Sequence, residues 1–295
     1  MGTLHKWIFQ ENDSPVKFAA NRLDGGAGND FIFGLGGDDV LVGGAGADTL
    51  DGGSGIDTAD YSESTGSVLV RLFNGTGTGG SSDGDTLTSI ENLIGSVNSD
   101  TLIGDANTNR LEGGAGNDGL YGLGGDDILV GGAGADTLVG GDGIDIIDYS
   151  ASSSSVLIRL WNGSGEGGDA QGDTFDSIES VIGSGFSDTL IGRSFASETL
   201  DGGAGNDLLF GLSGDVRKKL DVCLSGLDQH KLAQRRAGSF GCLRQVYFLS
   251  RVRLIGLHVN LLKCRAHHKE GKKQRHPDDY LIRRSCLQAQ RLTHQ

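Results

Sequence analysis

Aspartate returns every nine residues in two runs, Asp30, Asp39, Asp48 and Asp57, then Asp118, Asp127, Asp136 and Asp145, and once more at Asp207. Carboxylates are hard oxygen donors, and a regular row of them invites a divalent cation. No His or Cys lies between Lys6 and Cys223, which disfavours zinc and copper. Calcium fits the set, because it takes about six to eight oxygens, mixing carboxylates with main-chain carbonyls. Magnesium fits less well, since it resists dehydration and demands strict octahedral geometry.

The elements that must position these residues are short. Each aspartate is the sixth residue of a unit GGxGxDxUx, in which U is aliphatic. Residues 25–60 read GGAGNDFIF-GLGGDDVLV-GGAGADTLD-GGSGIDTAD, residues 113–148 read GGAGNDGLY-GLGGDDILV-GGAGADTLV-GGDGIDIID, and GGAGNDLLF-GLSGD begins at Gly202. The eighth places are Ile32, Leu41, Leu50, Ala59, Leu120, Leu129, Leu138, Ile147 and Leu209. A glycine-rich turn followed by a two- or three-residue strand, repeated without a gap, can wind into a solenoid with the eighth residue inside. Two units make one coil of 18 residues, so units two apart stack on the same side. Carboxylates stacked about 4.8 Å apart repel by a few kcal/mol at an effective dielectric of about 20. Glycines at places 1, 2 and 4 allow backbone angles that turn carbonyls toward a cation.

This stretch resembles the hemolysin-type, or RTX, calcium-binding repeat family. The resemblance implies an all-β fold, a right-handed parallel β-roll solenoid, over residues 23–215. It also implies ions held between same-side turns by aspartates and glycine-turn carbonyls. Carried onto this chain, the aspartate pairs are Asp30 with Asp48, Asp39 with Asp57, Asp118 with Asp136, and Asp127 with Asp145. Asp100 with Asp118 and Asp188 with Asp207 are weaker, because their units lack most of the turn glycines. The implied carbonyl donors are Gly25, Gly26, Gly28, Gly43, Gly44 and Gly46 in the first block, and Gly113, Gly114, Gly116, Gly131, Gly132 and Gly134 in the second. The family further implies several calcium ions, an extracellular address, and secretion by a signal-peptide-independent, type I-like route. Such repeats accompany secreted proteases, lipases and alginate epimerases, or serve adhesins and surface components that meet polysaccharide or cells.

A longer period overlies the short one. Gly25, Ser62, Val68, Arg71, Ser96 and Asp100 recur 88 residues on as Gly113, Ser150, Val156, Arg159, Ser184 and Asp188, and one extra residue near 193–200 precedes the third copy. Between the runs, Val68, Val70 and Leu72 alternate with Leu69, Arg71 and Phe73, which predicts a strand with one buried face. Residues 74–85, rich in Gly, Ser and Thr, read as a loop, and residues 86–94 return the chain to the stack. Glu91, Asp83, Asp85, Asp173 and Glu179 read as surface or turn residues. No HExxH, GxSxG or Cys/His pair occurs in residues 1–215, so no catalytic constellation is expected.

Composition divides the chain. Residues 1–215 hold 7 Lys/Arg against 34 Asp/Glu, and residues 216–295 hold 18 against 5. Nucleic acid is therefore not an expected partner of the repeats, and no apolar run is long enough for a transmembrane segment. Residues 1–22 form a lead-in without the apolar stretch of a secretory signal. The blocks are 23–112, 113–201 and a truncated third at 202–215. The change falls in mid-unit at Val216, where a ligand aspartate is due. The tail, 216–295, reads as out-of-frame or fused translation, or as a basic module for an anionic partner. Cys223, Cys242, Cys264 and Cys286 include no CxxC pair, so a zinc finger is poorly supported.

Overall fold

The computed structural model describes residues 7–9, 19–193, 198–211 and 217–219, the first and last of these as backbone alone. The expectations for the rest of the tail lie outside the described residues. The eighth-place aliphatics decide the architecture. Ile32, Leu41, Leu50, Ala59, Leu120, Leu129, Leu138 and Ile147 are all fully buried, and each sits in register with another of them on a neighbouring strand. Burying such a side chain is worth about 1.5–3 kcal/mol, and the neighbours on either side point outward.

Strands alternate between two parallel sheets as the chain coils. One sheet carries Arg22–Asp24, Val40–Val42, Thr58–Asp60, Asn92–Ile94, Arg110–Ala115, Ile128–Ala133, Ile146–Asp148, Ser180–Ile182, Thr199–Asp201 and Arg217–Lys219, in that spatial order. Its register sets Leu23, Leu41, Ala59, Leu93, Leu111, Leu129, Ile147, Val181 and Leu200 in single file. The other sheet carries the alternate strands, among them Phe31–Phe33, Thr49–Asp51, Thr101–Ile103, Gly119–Gly124 and Thr137–Asp142. The fold is an all-β parallel roll, as the nine-residue step predicts. The pairing extends beyond the repeats at both ends, with Trp7–Phe9 against Phe31–Phe33 and Arg217–Lys219 against Thr199–Asp201.

Between the runs a three-strand detour joins this second sheet, while Asn92–Ile94 and Ser180–Ile182 continue the first. Leu69–Arg71 enters beside Thr101–Ile103 with Val70 buried and Val68 buried just ahead of it, but the expected alternation stops at Arg71, because Leu72–Asn74 turn into a 3-10 helix with Leu72 only partly buried. The chain then reverses into Thr76–Thr78, antiparallel to it, and Thr86–Thr88 returns beside Thr49–Asp51. Leu157–Arg159, Ser164–Glu166 and Thr174–Asp176 repeat this path 88 residues later. Residues 74–85 are thus not simply a loop. Gly77 supplies a strand position whose Cβ would collide with Ser82 and Asp85, so only glycine fits there.

Candidate metal centre

The sixth-place aspartates face inward, against the ordinary preference of carboxylates for water. Asp30, Asp39, Asp48, Asp57, Asp118, Asp127, Asp136, Asp145 and Asp188 are each at most 2% exposed. What holds them is a ladder of charge-assisted hydrogen bonds. The N–H of Asp30 donates to Oδ1 of Asp48 (2.7 Å), Asp39 to Asp57 (2.8 Å), Asp118 to Asp136 (2.8 Å) and Asp127 to Asp145 (2.9 Å). Asp100 joins Asp118 (2.8 Å) and Asp188 joins Asp207 (3.0 Å) in the same way. The 18-residue step therefore brings together its five pairs as side chain on neighbouring main chain, and Asp188 meets Asp207 across 19 residues, one more because of the extra residue near 193–200.

The second oxygen has a different fate. Oδ2 of Asp48, Asp57, Asp118, Asp127, Asp136 and Asp145 is buried with no hydrogen-bond donor. Each such oxygen abuts the first glycine of its own unit. A Cβ on Gly113 would collide with Asp118 Oδ2 and lie 2.6 Å from the Gly131 carbonyl oxygen; Gly122 has the same relation to Asp127 Oδ2 and the Gly140 carbonyl. Gly25 is placed likewise by the Gly43 carbonyl and Asp30, and Gly43 by Asp48. A donor-free carboxylate oxygen beside a carbonyl, in a cradle a methyl group would fill, is chemistry for a hard cation. Among the described residues no three His, Cys, Asp or Glu side chains converge on one point, so most of the oxygens around an ion would be main-chain carbonyls.

The remaining turn glycines serve close stacking. Gly132 (φ 91°) and Gly134 (φ 155°) leave no room for a side chain against the carbonyls of Gly114 and Gly116, and Gly44 and Gly46 sit likewise on Gly26 and Gly28. The Gly26 carbonyl accepts the Ala45 N–H (2.7 Å).

Burial is the chief electrostatic influence. It pushes the carboxyls of Asp57, Asp118 and Asp127 up to about 6 and Asp136 up to about 7, against the opposing effect of the accepted N–H. Asp48, Asp145 and Asp207 are raised for the same reason.

Several acids enter the ladder that the sequence placed elsewhere. Asp85 and Asp173, expected at the surface, are 2% and 1% exposed and accept the N–H of Asp48 and Asp136 (both 2.8 Å). They stand 37 residues from their partners, so the 18-residue step could not find them. Their one signal was recurrence at 88. Glu91 and Glu179 accept the N–H of Asp57 (2.8 Å) and Asp145 (3.1 Å), while Asp83 is exposed as expected. Glu198 is buried with Oε2 lacking a donor, against Gly192. Counting back two places from Leu200 would have found it.

The family comparison falls on the same repeats. Residues 20–59, 85–120, 94–129, 120–147 and 194–215 match the family described as RTX calcium-binding nonapeptide repeat (four copies). Those matched stretches carry RTX calcium-binding repeats. RTX repeats bind calcium and are typically a non-catalytic, extracellular region. The two stretches left between matches, 60–84 and 148–193, cover most of the inserted strands. No curated protein matches the chain. No helix among the described residues is long and apolar enough to cross a membrane.

Proposed function

We propose that the RTX region is a calcium-dependent roll that completes its fold on meeting extracellular calcium. Its ligand oxygens are Oδ2 of Asp48, Asp57, Asp118, Asp127, Asp136 and Asp145, with first-place glycine carbonyls such as those of Gly131 and Gly140; Asp30, Asp39 and Asp207 hold the same register. The observation that carries this reading is the set of six buried, donor-free carboxylate oxygens. A buried acceptor without a donor costs about 1–3 kcal/mol, and more when charged. Repeated along the ladder, that cost opposes stacking until the charge is met. Bound calcium supplies the countercharge. The chain supplies the oxygens, the exclusion of water and the spacing.

Metal binding is thereby coupled to folding. Affinity on the order of 10⁻⁴–10⁻³ M, that of extracellular modules, would keep the roll loose where calcium is scarce. That behaviour suits export by the signal-peptide-independent route of the family, followed by folding outside. The test is circular dichroism of the full chain during calcium titration from a chelated state. Strand signal should rise at millimolar calcium and not with equal magnesium; an unchanged spectrum sinks the proposal.

A further inference from the structure

Not every rung of the ladder has a bare oxygen. Asp100 accepts the Ser96 N–H on Oδ2 and the Ser96 hydroxyl on Oδ1 (3.1 Å), and Asp188 is held the same way by Ser184. Asp85 and Asp173 receive on Oδ2 the hydroxyls of Tyr61 (3.0 Å) and Tyr149 (2.6 Å). These four rungs are the ends of runs. The ladder that passes through Asp118 and Asp136 starts at Asp100, which accepts from Val68, and stops at Asp173, whose own N–H turns back to Ala170.

The second place of the unit separates the two classes. In front of bare Asp48, Asp57, Asp118, Asp136 and Asp145 it is a glycine with φ between 91° and 118°. In front of bare Asp127 it is Leu123, which adopts φ 78° although it has a side chain and is 46% exposed. Ser96 and Ser184 are outside that left-handed region, and their N–H groups donate to the carboxylates. The backbone conformation, rather than glycine as such, accompanies the open cradle. Strain of about 1–2 kcal/mol at a half-exposed leucine is the kind held at functional positions.

We propose that the two inserts are calcium-free clamps: Ser96, Ser184, Tyr61 and Tyr149 donate where a cation would otherwise sit, and thereby bracket the cation sites into separate cassettes. The clamp residues keep their carboxylates satisfied at calcium levels where the cassettes open. This inference rests on the calcium reading above.

The test counts bound ions by native mass spectrometry of the full chain in calcium, backed by hydrogen exchange. Asp100→Asn and Asp188→Asn should leave the ion count unchanged, whereas Asp118→Asn and Asp136→Asn should lower it. In chelator, the amides bonded within the inserts and their clamps, those of Val68, Gly77, Leu87, Val156, Gly165 and Phe175, should stay protected while those of 119–139 exchange. Equal loss of ions in the Asp100 and Asp118 variants overturns the clamps, as does equal exchange of inserts and cassettes. If the wild-type chain binds no calcium, the preceding functional reading fails and the clamps fail with it. If it binds calcium and the two classes behave alike, only the clamps fail.

Discussion

The main-chain N–H of Asp118 donates to Oδ1 of Asp136 at 2.8 Å, while Oδ2 of Asp136 has no donor. One carboxylate thus joins two coils and presents a charge to the cradle. The two roles come apart on substitution by its amide.

Asp136→Asn keeps an acceptor for Asp118 and removes the buried charge. In chelator this variant should be more stable than wild type by on the order of 2 kcal/mol, because burial raises the Asp136 carboxyl to about 7. In millimolar calcium it should be less stable. Thermal melts in the two buffers read the change of sign, and destabilisation in both would contradict the assignment.

The pH dependence should also reverse with calcium. Folded-state values of about 6 for Asp57, Asp118 and Asp127 and about 7 for Asp136 lie above the ordinary aspartate value of 3.8. The calcium-free roll therefore holds protons that the unfolded chain releases, and its stability falls as pH rises from about 4 to 7. With calcium the ligands must be ionised, so stability rises across the same window. Melts at pH 5 and pH 8, with chelator and with calcium, should give slopes of opposite sign.

Gly132→Ala should cost at least about 2 kcal/mol, since a Cβ there meets the Gly114 carbonyl as well as a left-handed backbone. Gly26 has a similar φ of 84° but nothing within 4 Å of its Cβ position. Gly26→Ala should cost only the backbone part, about 1 kcal/mol. Denaturant melts in calcium compare the two. Equal losses would mean that close stacking at place 2 matters little.

Leu123→Gly should stabilise the calcium-bound roll by about 1 kcal/mol, because φ 78° is natural for glycine and only about half of the leucine is covered. The ion count should not change. A destabilised variant would mean that the Leu123 side chain has a contact role of its own.

What the sequence revealed follows from periodicity. A nine-residue step fixes which residue of each unit is buried, and Leu41, Leu50 and Leu129 sit where it puts them. It also brings Asp30 to Asp48 without any knowledge of the turn. It fails where the chain leaves the coil. Asp85 reaches Asp48, and Tyr61 reaches Asp85, only after the excursion through Leu69–Arg71 and Thr76–Thr78, and no local pattern encodes that route. The sequence also leaves unseen a second ladder on the outer turn. There Asn29, Asp38, Asn117 and Asp126 accept the N–H of the fifth residue in the next coil, ending at Ala47, Ile56, Ala135 and Ile144, which have no acceptor. Their bonds run opposite in sense to those of the buried aspartates, so a substitution at place 5 and one at place 6 disturb the same coil boundary from opposite sides.

The core rows described above are one side chain wide, with Leu41, Ala59 and Leu93 following one another in register. Each boundary between coils is then a separate joint with its own strength. Under axial tension such a rod gives way joint by joint. Its force–extension trace should be a staircase, with the weakest step where Ala59 puts a methyl group in a place that its neighbours fill with leucine.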